Sequence, residues 1–348
     1  MIRLSPLTKK KITRFKSIRR SYWSAIILLF LLFSSCFAEL LINNRALIVK
    51  YQGEYYFPTY GDMIPGKTFG MDYEYETNYR KLKLTFKEKN SGNWVLMPPV
   101  PYNAYENDFI EGEYPPYEPS LASGHFLGTD TAGRDIVARL FYGFRIAIWF
   151  SMILLVINYA VGVSIGALMG FWGGWFDLIS QRIIEIWSNI PFLYIVMILS
   201  SIVVPKFWML IVLMAIFGWM GMTWYLRTST YKEKAREYVM ASRALGASPL
   251  RIIFKHILPN SISVIITFIP FSIAAGITSL TSLDYLGFGL PPPTPSWGEL
   301  LSQGTENMES QWILISVVTA MVTILALVTF IGEGIREAFD PKRHTVYR

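Results

Sequence analysis

Tyr238–Asn260 reads YVMASRALGASPLRIIFKHILPN, a polar and basic helical pair set between long apolar runs. Tyr238, Ala241, Ser242 and Leu245 recur at helical spacing, and Gly246 stands where a C′ glycine ends a helix. Ser248 and Pro249 read as the N-cap and N1 of a second helix, which Pro259 is expected to stop. The small residues Ala241, Ser242, Ala244 and Gly246 leave a low ridge that another protein can grip closely. An ordinary cytoplasmic loop and a helix-turn-helix DNA reader both suit such a pair. Base readout needs a freely docking domain, whereas about 20 apolar residues flank this pair on each side, enough to span a bilayer. No nucleic-acid partner is expected.

Working outward, the 348-residue chain is 52% hydrophobic and only 16% charged, against about 25% charged in soluble domains. The bulk partner is therefore a lipid bilayer. The single cysteine, Cys36, excludes a disulfide framework and a cysteine metal cluster, and His125, His256 and His344 are too scattered to suggest a ligand set. Residues 1–22 carry eight Lys/Arg and no acid, and an apolar stretch, Tyr22 to Ile42, follows. Its length, about 20 residues, suits an uncleaved signal anchor better than a cleaved signal peptide, despite the lipoprotein-like Phe33-Ser34-Ser35-Cys36. Five further apolar spans fall near 144–170, 190–205, 207–226, 261–283 and 311–331. Gly162, Gly166 and Gly170 share one helix face, so a neighbouring helix can approach closely there. Trp172, Trp175, Trp208, Trp224, Trp297 and Trp312 lie near span ends, as an interfacial belt requires.

Residues 43–142 are too long for a simple loop, and eleven of the twenty tyrosines lie between Tyr51 and Tyr117. A small outer lid packed mainly by these aromatics is expected, with Glu54–Tyr60 and Leu82–Phe86 as candidate strands and Pro98–Pro119 as an extended linker. Gly61–Thr68 satisfies the P-loop pattern G-x4-G-K-T, but the acidic FGMDYEYETNYR, without a helical apolar stripe, follows it. A phosphate cradle needs a helix N-terminus at that point, so the stretch reads as a glycine-proline turn. Ser296 and Glu299 form a capping-box pattern after the proline-rich run from Pro291 to Pro295. Asp177 and Arg182, in a polar link at 171–189, are read as touching the 227–260 loop, each other, or only solvent.

Four stretches resemble one family, the permease subunits of the oligopeptide, dipeptide and nickel ABC importers. Ala241, Ser242, Gly246, Leu258 and Pro259 match its E-A-A-x3-G-x9-I-x-L-P loop, with Met240 in place of Glu and His256 in place of Ile. Leu127 to Asp135 carry L-G-T-D-x-x-G-R-D, Leu286 to Gly298 carry L-G-F-G-x-x-P-P-T-P-S-W-G, and Gly332 to Lys342 resemble its G-D-x-x-R-D-x-x-D-P-R ending. The resemblance covers Leu127 to Lys342, and the long outer insertion and the N-terminal R-L-S-P are most similar to its Yej-type branch, which is linked to oligopeptide and microcin C uptake.

The resemblance implies an all-α membrane protein with the six-helix fold of type I importer permeases and an extracytoplasmic insertion between helices 1 and 2. The divisions are a basic N-terminus 1–22, a first helix 23–42, the insertion 43–142, a transmembrane core 143–334 containing the loop 227–260, and a tail 335–348. It implies that Tyr238, Ala241, Ser242, Ala244, Leu245, Gly246, Ala247, Leu258 and Pro259 dock an ABC ATPase subunit, which binds the ATP and magnesium; this chain is neither an enzyme nor a cofactor binder. The implied partners are a second homologous permease, the ATPases and a periplasmic peptide-binding protein. Gly128, Thr129, Asp130, Gly133, Arg134 and Asp135 form the outer-surface motif. There, Thr129 or Asp130 is expected to cap a short helix, and Arg134 and Asp135 to make structural polar contacts.

Charge supports the same topology without the family. With six spans and the N-terminus inside, segments 1–22, 171–189, 227–260 and 332–348 carry eight, one, seven and four Lys/Arg against seven acids, and the outer face keeps more acids than bases. This is the positive-inside pattern of an inner-membrane protein with both termini cytoplasmic. The interiors of spans three to six have no ionisable group, unlike proton- or sodium-coupled carriers. The expected function is import of peptides, or of a peptide-like antibiotic such as microcin C, driven from outside the chain. The alternatives are a dipeptide or nickel permease of the same family, a secondary carrier, and a membrane subunit or sensor that transports nothing.

Overall fold

The computed structural model describes residues 6–89, 92–110 and 112–339. Arg3 of the basic arm and Asp340, Pro341 and Lys342 of the tail pattern lie outside them. The chain opens with α1 (Pro6–Ser17) and α2 (Arg19–Cys36), which meet at 97°. After the single turn α3 (Ala38–Leu41) comes the insertion, with β1 (Ile48–Tyr51), β2 (Glu54–Tyr56), α4 (Tyr79–Lys89) and β3 (Trp94–Leu96). The bundle follows: α5 (Ile136–Trp172), α6 (Gly174–Ser188), α7 (Phe192–Ile202), α8 (Phe207–Gly218) and α9 (Met220–Lys234). Then come α10 (Glu237–Ala244), α11 (Pro249–Ile252), a π-helical turn (Ile253–Ile257), α12 (Leu258–Tyr285), α13 (Trp297–Glu306) and α14 (Gln311–Phe339).

Four helices are long and apolar enough to cross a bilayer as they stand: Ile136–Trp172, Phe207–Lys234, Pro249–Tyr285 and Gln311–Phe339. Each bent pair, α1–α2 and α6–α7, supplies one more crossing, which makes six. The expected span at 190–205 is incomplete by itself. Its helix, α7, has 11 residues, about 17 Å at 1.5 Å per residue, whereas the hydrocarbon layer is about 30 Å thick. The crossing is completed by α6, bent 59° from α7, in the stretch read as a polar link. Asp177, Arg182 and Glu185 hid its apolar residues Leu178, Ile179, Ile183 and Ile186, and Pro191 imposes the break.

Pro259 does not stop a helix. A proline ring clashes with the carbonyl four residues back, and the π turn gives it room: the Leu258 amide bonds to the Ile253 carbonyl, five residues earlier. Helix therefore runs from Pro249 to Tyr285 as 37 residues.

The insertion folds on its own small core. Its antiparallel sheet has the order β2-β1-β3, with Val49 opposite both Tyr56 and Val95. Val49, Phe69, Tyr79, Leu82, Phe86 and Val95 are buried together. Leu82–Phe86 is helix rather than strand, because Tyr79, Leu82 and Phe86 repeat with a helical period and face that sheet. The P-loop-like stretch ends in a four-residue 3₁₀ turn, Gly66–Phe69, whose Lys67 pairs with Glu74. Tyr51, Tyr56, Tyr79, Tyr102 and Tyr117 pack the insertion, while Tyr60, Tyr75 and Tyr114 are exposed. Trp297 departs from the expected belt. It is buried in the bundle core, stacks near Phe144 and donates its ring N–H to the Leu140 carbonyl at 2.9 Å.

The most extensive helix contact in the bundle joins α5 to α9. A methyl group built on Gly162, Gly166 or Gly170 would lie 2.5, 2.4 or 2.6 Å from the backbone oxygens of Trp219, Thr223 and Arg227. Both helices repeat every four residues at this seam, so backbone meets backbone over two turns. Gly166→Leu should therefore destabilise the protein by about 1–3 kcal/mol by wedging the seam. Gly221→Ala in α9, where added atoms meet nothing within 4 Å, should leave stability unchanged or raise it by up to about 1 kcal/mol. Thermal denaturation in detergent compares the two, and equal melting temperatures would refute the seam's role.

Candidate functional site

The Tyr238–Asn260 stretch forms an elbow at one end of the bundle. α10 ends in a Schellman turn: the Gly246 amide bonds to the Arg243 carbonyl at 3.0 Å and the Ala247 amide to the Ser242 carbonyl at 3.1 Å. Gly246 has φ +81° and only open space around it. This left-handed conformation disfavours side chains. Val239, Ile252, Ile253 and Ile257 turn inward onto Ala167 and Phe171 of α5 and form a small buried core. Sequence reasoning missed these anchors, although 253 and 257 are one helical turn apart.

The residues assigned to docking fall on the outer side. Tyr238, Ala241, Ala244, Leu245, Gly246 and Pro259 are exposed, and Ser242, Ala247 and Leu258 are half-buried. Leu245 is 89% exposed and Phe254 62%, and Met240 and Leu250 also face out. The elbow thus presents apolar knobs beside small residues, the pattern expected of a protein interface rather than a solvated loop. Asn260 donates to the Tyr238 hydroxyl at 3.0 Å, and that hydroxyl donates to Glu233 at 2.6 Å, which clips the end of the elbow to its start.

The elbow's root is held by charge. Asp177 of α6 takes two bonds from the Arg227 guanidinium, at 2.6 and 2.7 Å, and one from the Tyr231 hydroxyl at 2.8 Å. Asp177 therefore touches the base of the loop, whereas Arg182 pairs with Glu185 on the surface at 2.5 Å. Arg227 and Tyr231 were not singled out in the sequence; their four-residue spacing on α9 is the signal that was there.

At the opposite end, Gly128–Asp135 builds a buried clamp. Gly128 and Gly133, both at φ +78°, let the chain pass close to Tyr117 and Asp108. Thr129 Oγ1 accepts the Tyr117 amide at 2.7 Å. Asp130 binds Arg134 Nε at 2.7 Å and lies 3.2 Å from Arg139 Nε, and Glu299 of α13 joins both arginines, at 2.7 Å to Arg134. The helix cap is Asp135, not Thr129 or Asp130. Its Oδ1 accepts the Ala138 amide at 2.8 Å and starts the 37-residue α5. Ser296 does cap α13, but the Glu299 carboxylate leaves the capping box for the two arginines, because a buried guanidinium pair needs an acid more than a helix end does.

Asp135 Oδ2 also meets His125 Nδ1 at 2.9 Å, and His125 Nε2 meets Asp108 at 3.3 Å, with the imidazole stacked on Tyr102. Burial alone would push His125 down, but the bonds and charges of Asp108 and Asp135 outweigh it and hold the imidazole above its ordinary 6.5. Hydrogen bonding to His125 holds Asp108 below the ordinary carboxylate value, with Arg80 adding to the effect. Among the described residues no group of three or more His, Cys, Asp or Glu is arranged to hold a metal ion.

Residues 162–345 match the family model described as the binding-protein-dependent transport system inner membrane component. The chain is 40% identical over 346 residues to the inner membrane ABC transporter permease protein YejE of Escherichia coli, which covers 99% of each chain. It is 38% identical to the peptidoglycan transport system permease protein YejE of Agrobacterium fabrum, over 97% of this chain and 94% of that one. It is 32% identical to the dipeptide transport system permease protein DppC of Bacillus subtilis, over 70% and 75%. The chain belongs to this family of ABC importer permeases, as a multi-pass inner-membrane protein of the Yej type.

A histidine with a raised folded-state pKa contributes stability that is full below its unfolded value and is lost as pH rises through the folded one. The melting-temperature gap between the natural protein and His125→Gln should therefore be widest below the ordinary histidine value of about 6.5 and narrow as the pH rises above it. A gap that widens with pH would show that the imidazole is held neutral.

Proposed function

We propose that this chain is the membrane-spanning subunit of an ATP-driven importer and that the elbow around Ala241–Gly246 is the surface pressed by a separate ATPase. The carrying observation is the elbow itself: exposed apolar residues on a base packed against α5 and running on as one helix into α12. In this reading the ATPase subunits bind ATP and magnesium, and a second homologous permease completes the pathway. The elbow and both termini face the cytoplasm, and the insertion at 43–142 lies outside, where a peptide-binding protein delivers cargo.

The cargo is peptide: an oligopeptide or a peptide-like antibiotic such as microcin C. The dipeptide designation of the Bacillus relative supports the class, and the long insertion supports the Yej-type branch. A second reading, cargo derived from peptidoglycan, is favoured by the designation of the Agrobacterium relative. Mechanically, closure of the ATPases moves the elbow. Because α9 enters it and α11 leaves it as one helix with α12, the two long helices rock together and alternate the side of access.

Tagged protein purified from its own membranes should bring down a second permease and ABC ATPases. Gly246→Arg adds both left-handed strain, about 1–2 kcal/mol, and a long charged side chain at the protruding turn, and should lose the ATPases while keeping the second permease. Normal peptide uptake by that variant would sink the docking assignment. A chain that purifies alone and moves solute without ATP would replace the importer with a carrier.

A further inference from the structure

A cavity of about 290 Å³ lies among α5, α8–α9 and α12. It is bordered by residues 151–159, 214–225 and 268–279, near the middle of the helices Ile136–Trp172, Phe207–Lys234 and Pro249–Tyr285. It therefore sits near mid-depth, far from the elbow and from the outer clamp. Two of the three walls carry a local irregularity at this level: a single turn residue in one and a proline, which has no N–H, inside the other. α8 ends at Gly218 and α9 restarts at Met220, and Pro270 lies inside α12. Irregular backbone at membrane depth is tolerated where it lines a cavity.

The lining is mainly apolar, with a few polar groups from Ser151, Asn158, Tyr159, Tyr225, Ser272 and Ser279, and carries no acidic or basic side chain. Tyr159 and Ser272 share a hydrogen bond of 2.8 Å across α5 and α12. Asn158 is different. Its Oδ1 is buried and has no hydrogen-bond partner. An unpaired amide oxygen in such surroundings is unfavourable, and the cost is offset when a ligand supplies a donor. Its carboxamide carries an acceptor and donors side by side, the complement of a peptide C=O and N–H. The remaining wall, with Met214, Met222 and Phe268, is apolar and adaptable.

We propose that this cavity is a binding station for the main chain of a passing peptide, with Asn158 pairing to one uncharged peptide group. This deepens the peptide-import reading and rests on it. The site recognises amides that every peptide carries, and it holds no charge to select for, or trap, a terminus or a charged side chain.

The test is ATP-driven uptake by the whole importer in proteoliposomes, using a tripeptide and its depsipeptide analogue, in which one amide N–H is replaced by an ester oxygen. The ratio of the two rates in Asn158→Leu, compared with the natural protein, cancels whatever the binding protein itself prefers. The natural protein should favour the amide by about tenfold more than Asn158→Leu does, the equivalent of one buried hydrogen bond. Equal ratios would overturn the proposal. Should Asn158→Leu fail to assemble, Ser279→Cys in a Cys36→Ser background provides a second measurement. Cys36 is the chain's single cysteine, so labelling by a small thiol reagent reports this cavity, and transported tripeptide should slow it. Labelling unaffected by tripeptide during active uptake would refute the station but leave the importer intact. Absence of ATP-driven peptide uptake by the natural protein would overturn the transport reading and the station with it.

Discussion

The backbone contact between α5 and α9 places everything at the elbow end. Gly162, Gly166 and Gly170 admit the carbonyls of Trp219, Thr223 and Arg227 to within a distance that no side chain would allow. In a membrane there is little hydrophobic drive between helices, so close packing of this kind carries the association. The seam does not end at Gly170. Arg227, whose carbonyl meets that glycine, sends its side chain to Asp177 on α6. Directly after the glycines at 166 and 170, the α5 residues Ala167 and Phe171 meet the buried side of the elbow. Steric fit, a charged bridge and an apolar plug thus follow one another along a single line from mid-bundle to the elbow.

The opposite end is tied by different physics. Asp130, Arg134, Arg139 and Glu299 form a buried network of two acids and two guanidinium groups. Buried ion pairs contribute little net stability, because desolvation offsets the attraction, but removing one member is costly. Their effect here is to fix position: they lock α13 to the start of α5, while Asp135 caps α5 and ties it through His125 to the insertion. Tyr142 adds a bond from α5 to the Ile42 carbonyl at 3.0 Å. The insertion therefore stands on the bundle as a rooted unit, although its own sheet and α4 close a separate core.

Much of this was legible from residue type and spacing. The glycines at 162, 166 and 170 marked one helix face, Gly246 marked a helix end, and apolar length marked most crossings. Three features were not. The buried clamp joins residues about 165 positions apart, Arg134 and Glu299, and local reasoning assigned Glu299 to its own helix cap. Pro259 reads as a stop to any local rule, because the π turn that accommodates it depends on packing by Ile253 and Ile257. The α6 crossing was obscured because its three ionisable residues sit among apolar ones: Asp177 is held by Arg227 of α9, 50 positions on, while Arg182 and Glu185 pair with each other along α6. In each case the missing information is a partner distant in sequence.

The interruptions of the long helices are not scattered. Gly218–Trp219 and Pro270 lie beside the mid-depth cavity, and the π turn lies at the root of the elbow. Both ends are cross-tied by ion pairs or buried side chains, whereas the middle holds broken helix, glycine and an unpaired amide. Bending concentrates where backbone hydrogen bonds are already missing. In the proposed transport cycle, a push at the elbow would pass along the α5–α9 seam and be taken up at mid-depth, beside the cavity. The irregularities that border the proposed ligand site are thus also the places where the helices would bend in that cycle.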